Sequence, residues 1–290
     1  MKRSPFLAAL PWITPWIIGF VAFLAAPIAM SLWYSLNDYS LLEPAAFVGL
    51  DNYKELAGDP LFWRVTRNTL LYGLVSSGLS VMLSLLIAAM LETRVRGAAL
   101  VRTIVFIPTL VPAVSGAVSW LWLYNPRFGL VNSALSKLGV DGPDWLGSTA
   151  WAMPSFIVMG LWVIGSSVLV YSAALQDVPR TLYESASIDG VGRIGRFRHV
   201  TLPMVSPAIL FNGVMSLIWS LQLFAPPHLM TRGGPEETTY TYSMYVYNNA
   251  FIYGRMGYAS ALAWLQILVT LALTLIVLAV GRKFVYYRAA

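Results

Sequence analysis

Thr69-Leu-Leu-Tyr-Gly-Leu-Val-Ser-Ser-Gly-Leu-Ser-Val-Met-Leu-Ser-Leu-Leu-Ile-Ala-Ala-Met-Leu91 runs for 23 residues without a charge. A hydrocarbon core about 30 Å thick needs about 20 apolar residues at about 1.5 Å rise each. The stretch therefore reads as a membrane-spanning helix, because backbone polar groups in lipid must be satisfied within their own segment. Five more segments meet the same test: residues 11–36, 103–124, 149–175, 205–229 and 258–281. None contains Asp, Glu, Lys or Arg.

Composition agrees with that pattern. The chain is 58% hydrophobic and 11% charged, whereas a soluble domain carries about 25% charged residues. The expectation is a single all-α membrane domain over residues 1–290 with six transmembrane helices. There are no cysteines, which excludes disulfides, thiolate metal sites and thiol catalysis. Lys2 and Arg3 precede the first apolar run as in a signal peptide. The run is too long for a signal core, and Pro27 interrupts the small pair Ala25-Ala26, so an uncleaved span is expected.

Loops on the side of the N-terminus hold 12 Lys and Arg, including Arg94, Arg96, Arg102, Arg180, Arg193, Arg196, Arg198, Arg282, Lys283 and Arg288. Loops on the other side hold 7. The excess places both termini in the cytoplasm. The net charge of +6 is thereby accounted for by topology, and no nucleic-acid partner is expected. Trp12, Trp16, Trp33, Tyr34, Trp120, Trp122, Tyr124, Tyr286 and Tyr287 gather near span ends, where they anchor at the interface. The outer loops, about 37–68, 125–148 and 230–257, are rich in turn residues.

The spans carry no deep ionisable residue. Proton- and ion-driven carriers usually do, so energy for any transport comes from elsewhere. No His-Glu-x-x-His and no phosphate loop is present, and no catalytic or metal-ligating set is expected. Neutral polar residues do occur in the spans: Ser76, Ser77, Ser80, Ser84, Ser115, Ser119, Ser166, Ser167, Asn212, Ser216, Ser220, Gln222 and Gln266. For the serines, close helix packing competes with ligand contact. Asn212 and Gln222 are costlier to leave unpaired.

The longest inner loop, residues 176–204, has legible local chemistry. Asp177 reads as a helix N-cap with Pro179 in the first turn. A short helix follows to about Asp189, and Gly190 suits the left-handed residue that ends it. Residues 191–200 are basic, and Pro203 opens the fifth span. The expectation is a surface helix pair. On these grounds alone, a basic element resting on anionic lipid and a docked element remain equal alternatives.

Spacing narrows that choice. Glu184-Ser185-Ala186, three residues, Gly190, nine residues, then Val200-Thr-Leu202-Pro203 resembles the Glu-Ala-Ala loop of binding-protein-dependent ABC importer permeases. Ser185 and Val200 are its two small departures. Asp189-Gly190, Phe47-Val-Gly-Leu-Asp-Asn-Tyr53, Asp59-Pro-Leu-Phe-Trp63 and Thr231-Arg-Gly-Gly-Pro235 resemble the carbohydrate-importing branch of that family. The resemblance implies a prokaryotic inner-membrane permease subunit that binds no cofactor itself. It implies a paralogous second permease, two ATPase subunits that carry ATP and Mg, an extracytoplasmic binding protein and surrounding lipid as partners. It assigns ATPase coupling to Glu184, Ser185, Ala186, Ser187, Asp189, Gly190, Leu202 and Pro203. It places the solute pathway at Met159, Trp162, Val163, Ser166, Ser216, Trp219, Ser220, Gln222 and Leu223. It implies as cargo an oligosaccharide, a disaccharide or a polyol-like solute such as glycerol phosphate. A membrane enzyme acting on lipid-linked sugars and a stand-alone channel are the rival readings. The first lacks the acidic or His cluster it needs, and the second has no use for the 184–203 loop.

Overall fold

The computed structural model describes residues 5–92 and 97–286, with side chains from residue 11 onward. Lys2, Arg3, Arg94, Arg96, Tyr287 and Arg288, used above for topology and anchoring, lie outside the described residues. In chain order the helices are α1 (Pro5–Phe20), α2 (Ala26–Ser35), α3 (Asp51–Gly58), α4 (Pro60–Glu92), α5 (Ala98–Phe106), α6 (Ala113–Leu123), α7 (Leu130–Lys137), α8 (Ala152–Leu161), α9 (Gly165–Gln176), α10 (Arg180–Ile188), α11 (Arg193–Arg196), α12 (Leu202–Leu221), α13 (Ala225–Met230), α14 (Tyr242–Tyr247) and α15 (Met256–Gly281). Among the described residues, four helical runs are long and apolar enough to cross a membrane, or up to six if each of two bent pairs counts as one span. The described residues form two compact units, those up to 62 with 245–268, and those of 63–244 with those from 269 onward.

In the first unit, α1 and α2 join through a π turn at Val21–Ala25, in which Ala26 N–H reaches Val21 O. Ala26 and then Pro27, in the first turn of α2, follow it. Residues of the 11–35 stretch are almost wholly exposed, with Trp12, Trp16 and Phe23 more than two-thirds open. A two-residue antiparallel pair, Asn37–Asp38 with Ala46–Phe47, follows α2. Asn52 Nδ2 donates to Ser35 O and Asn37 O, each at 2.9 Å, and Tyr53 OH donates to Ser35 Oγ at 2.9 Å. The Phe47–Tyr53 motif thus ties α3 to the end of α2.

In the second unit, Leu85, Ala88 and Leu91 of α4 pack with Val168, Tyr171 and Leu175 of α9 and Val205 of α12. A smaller cluster joins Tyr72 to Met153 and Phe156. Three predicted spans are broken where the sequence reading had straight helices. Residues 98–123 bend by 105° between α5 with its 3-10 turn Ile107–Leu110 and α6. Val111 is extended, at φ −77°, ψ 124°, as the residue before a proline tends to be, and Pro112 then precedes α6. Residues 152–176 bend by 45° between α8 and α9. Here Gly165 permits close approach: a Cβ on it would lie 2.4 Å from Val105 O. The third break, at 222–224, precedes Ala225-Pro-Pro, whose prolines sit in the first turn of α13, where a missing N–H does little harm.

The loop between α9 and α12 differs from expectation in two ways. Asp177 does not cap α10; it is the C-terminal boundary residue of α9, and Pro179 occupies the position before α10. The expected second surface helix is not separate. Arg193–Arg196, a π turn at Phe197–Thr201 and α12 form one continuous helical run through Pro203. Pro207 further along would leave Pro203 O unbonded, and Ser206 Oγ donates to it at 2.6 Å.

Candidate functional site

Three helices of the second unit turn neutral polar faces toward one cavity of about 510 Å³. α4 supplies Tyr72, Ser76, Ser77 and Ser80 at helical spacing. The α8–α9 segment supplies Gly160, Val163, Ser166 and Ser167. α12 supplies Phe211, Asn212, Met215, Ser216, Trp219 and Ser220. No Asp, Glu, Lys, Arg or His is among the lining residues. Asn212 Nδ2 donates to Ala208 O at 3.2 Å, and among the described residues its Oδ1 has no recorded donor. Trp219 is 70% exposed and lines the cavity.

The hydroxyls are not equivalent. Ser220 Oγ donates within its own helix to Ser216 O at 2.7 Å and lies 3.1 Å from Gly73 O on α4. It therefore holds two helices together rather than standing open to a ligand. Ser77 Oγ likewise turns back to Leu74 O at 3.3 Å. Ser80, Ser166, Ser167 and Ser216 make no such side-chain bond among the described residues, so their hydroxyls are the ones available.

A second pocket of about 160 Å³ adjoins the first and shares Tyr72, Gly160 and Val163 with it. Met159, Trp162 and Leu223 line it, together with Val111, Pro112 and Pro226. Its walls thus come from all three helix breaks. Irregular backbone at membrane depth is tolerated where it is buried in protein or lines a cavity, and this placement meets that condition. Trp162 stands edge-on to Trp120, with ring centroids 5.9 Å apart.

The nine sequence-selected pathway residues therefore divide. Val163, Ser166, Ser216, Trp219 and Ser220 line the larger cavity, and Met159, Trp162, Val163 and Leu223 the smaller. Gln222 lines neither and is exposed at the helix break. Tyr72, Ser76, Ser80, Ser167 and Asn212 line the larger cavity without having been selected. Their signal was a stripe: 72, 76 and 80 on one helix, 212, 216 and 220 on another, each four residues apart.

At the loop, Glu184, Ser185, Ser187, Asp189 and Gly190 are exposed, whereas Ala186 is buried against its own chain. Gly190 sits at φ +73°. Its N–H reaches Ser187 O at 3.2 Å, and Val191 N–H reaches Ala186 O at 2.9 Å. These two bonds make a Schellman closure. Tyr183 OH and Thr201 Oγ1 lie 3.0 Å apart, and Arg196 Nη1 donates to Ser187 Oγ at 3.0 Å. The short helix is thereby fastened to the run that becomes α12. Thr201 is buried; Leu202 and Pro203 are half-buried in the first turn of α12. At the base of the loop, Glu92 accepts from Arg102 at 2.7 Å and from Gln176 at 3.0 Å.

The motifs at 59–63 and 231–235 are also bonded. In the first unit, Asp59 accepts from Tyr245 OH, from Tyr258 OH at 3.1 Å and from Leu61 N–H at 2.9 Å. Burial lifts the Asp59 carboxyl, but these donors outweigh it and hold its pKa below the usual value. Burial and the neighbouring carboxylate push the Tyr245 hydroxyl up to about 12. In the second unit, the Thr231–Pro235 turn is held by Thr231 and Thr239, whose hydroxyls lie 2.6 Å apart, and Glu237 pairs with Arg64. Arg232, Glu236 and Glu237 adopt positive φ there, a conformation that persists only where surrounding bonds over-determine it.

Comparison with known proteins agrees on one family. Residues 80–286 match the family described as binding-protein-dependent transport system inner membrane component. The chain is 34% identical to the probable ABC transporter permease protein YesP of Bacillus subtilis, over 99% of this chain and 94% of that one. It is 33% identical to the trehalose/maltose transport system permease protein MalF of Thermococcus litoralis, over 93% and 92%. A crystal structure of a bacterial ABC transporter that imports the acidic polysaccharide alginate contains a chain that is 29% identical. It superposes with a TM-score of 0.83 and covers 98% of both chains.

Proposed function

The chain belongs to the binding-protein-dependent transport system inner membrane components, and from that membership we propose that it forms half of the membrane path of an ATP-driven carbohydrate importer. A paralogous permease closes the other half, two ATPase subunits supply the energy, and an extracytoplasmic binding protein delivers the cargo to the outer loops. Each bent helix pair counts as one span in this reading, which gives six spans and both termini in the cytoplasm.

The observation that carries the cargo assignment is the uncharged, hydroxyl-lined wall of α4, α9 and α12. A neutral sugar offers many hydroxyls and flat apolar faces. Ser166, Ser167, Ser216 and Asn212 Oδ1 match the first, and Trp219 matches the second. A phosphate or carboxylate would need a counter-charge at this depth, and this wall supplies none. Neutral oligosaccharides are therefore favoured over glycerol phosphate.

Glu184, Ser185, Ser187, Asp189 and Gly190 form the docking face toward the ATPase, with Ala186, Leu202 and Pro203 supporting it from within the chain. Closure of the ATPase pair moves this rigid turn, and α12 moves with it because the helical run is continuous. The path residues on α12 then shift relative to α4 and α9.

The test is uptake of labelled neutral disaccharides by cells expressing the whole transporter. Replacing both Asn212→Leu and Ser216→Ala removes two bonds worth about 1 kcal/mol each, so uptake at low solute falls about 30-fold with assembly unchanged. Unaltered uptake refutes the pathway assignment. Purification of the permease without any ATPase, despite co-expression, refutes the importer reading.

A further inference from the structure

On another face of the second unit, α4, α12 and the end of α15 enclose an apolar groove of about 580 Å³. Its floor is small: Gly78, Gly213 and Gly281 face it, and a Cβ built on Gly78 meets nothing within 4 Å. Along α12 the lining runs from Ser206 to Leu217, about 16 Å of helix axis. An apolar groove of that length is long enough to take a hydrocarbon chain laid along it.

Basic residues flank one end of the groove, beside its lining residues Gly281 and Phe284. The turn after α15 lies on α12 there, with Tyr286 N–H donating to Ser206 Oγ at 2.9 Å. Arg282 and Lys283 are exposed in that turn, and Arg198 and His199 are exposed two turns before Ser206. No Asp or Glu occurs in residues 190–235 or 238–290, so neither converging segment carries a carboxylate to neutralise them. The other end, at Leu74 and Leu217, is wholly apolar.

We propose that this groove binds an anionic phospholipid, with one acyl chain along Gly78 and Gly213 and the headgroup at Arg282 and Lys283. The apolar lining suits a hydrocarbon chain, and the one-sided charge selects an anionic headgroup over a zwitterionic one. Basic pockets between transmembrane helices bind anionic headgroups by this logic. The groove shares only Ser77 with the serine-lined cavity, and its occupancy is readable without any measurement of transport.

The experiment is native mass spectrometry of the delipidated whole transporter titrated with phosphatidylglycerol or phosphatidylcholine. Wild type is expected to retain phosphatidylglycerol at least about 10-fold more tightly than phosphatidylcholine, as two cations near the headgroup imply. The double variant Arg282→Gln, Lys283→Gln weakens phosphatidylglycerol by about 30-fold and leaves phosphatidylcholine unchanged. Gly78→Leu, which fills the floor without a Cβ clash, weakens both lipids. Equal retention of the two lipids by wild type, or no loss in either variant, overturns the proposal. A photoreactive side chain at Ile276, which is exposed and lines the groove, should capture phospholipid. Capture of a polypeptide there overturns it as well.

Discussion

Gly190 offers the sharpest test of how the inner loop works. Its φ of +73° is open to glycine, but a left-handed residue with a side chain costs roughly 1–2 kcal/mol. A Cβ at this position meets nothing within 4 Å, so Gly190→Ala adds no clash and its cost is conformational alone. That cost lowers the population of the closed turn about 5–30-fold if the loop can open. If the ATPase docks only on the closed turn, its apparent affinity falls by the same factor. Asn visits this conformation more readily than Ala, so Gly190→Asn should fall between glycine and alanine. Gly190→Pro is far worse. Proline fixes φ near −65° and removes the N–H that reaches Ser187 O, so the Schellman closure cannot form. Its loss should exceed about 100-fold. The assay is binding of the purified ATPase subunit to the permease in nanodiscs, paired with ATPase stimulation by cargo-loaded binding protein. The order Gly, Asn, Ala, Pro is expected in both. A flat series, or proline binding as well as asparagine, refutes the claim that the turn is part of the docking face.

Glu184→Lys reverses an exposed charge on the same face without touching the fold, so coupled ATPase activity should drop about 10-fold while the thermal midpoint stays within the small shift typical of surface changes; unchanged coupling removes Glu184 from the interface. Gly165→Ala places a Cβ 2.4 Å from Val105 O and 2.7 Å from Phe106 Cα, both backbone atoms, and overpacking of this kind costs about 1–3 kcal/mol. Its readout is a lower thermal midpoint in detergent, and wild-type stability contradicts the close approach of α9 to α5. Asp59 has a lowered folded pKa, so its charge contributes stability above the unfolded value of about 3.9, and that contribution is lost as pH falls through the folded value. Asp59→Asn should therefore lower the thermal midpoint at pH 7, with the gap to wild type closing below about pH 4; a gap independent of pH refutes the carboxylate's role.

The spans were legible where the chain is apolar for about 20 residues, because membrane crossing is decided by a sum over a window. Their ends were less so. Residues 69–91 were expected, yet α4 begins at Pro60, since Arg64, Arg67 and Asn68 end the apolar run but not the helix. Gly190 was legible because a left-handed turn needs one particular residue type. Asp177 misled, since a capping residue type says nothing about which of two adjacent helices it bounds, and here it ends α9.

The helix breaks escaped for a related reason. A hydropathy window averages over Val111-Pro112, Trp162–Ile164 and Gln222–Phe224, and each window stays apolar. Pro112, Gly165 and Pro226-Pro227 were visible, but prolines and glycines also sit quietly inside membrane helices, as Pro11 and Pro15 do in α1. What separates the two cases is the surroundings of the backbone: groups freed at a break need a polar or enclosed neighbour. All three breaks border one small pocket, and that pocket adjoins the serine-lined cavity. The α1 prolines, in a segment almost wholly exposed, leave the helix unbroken. Polar stripes at four-residue spacing on α4 and α12 therefore carry two messages at once. They mark which faces meet, and they indicate where along the spans a proline or glycine is free to break its helix.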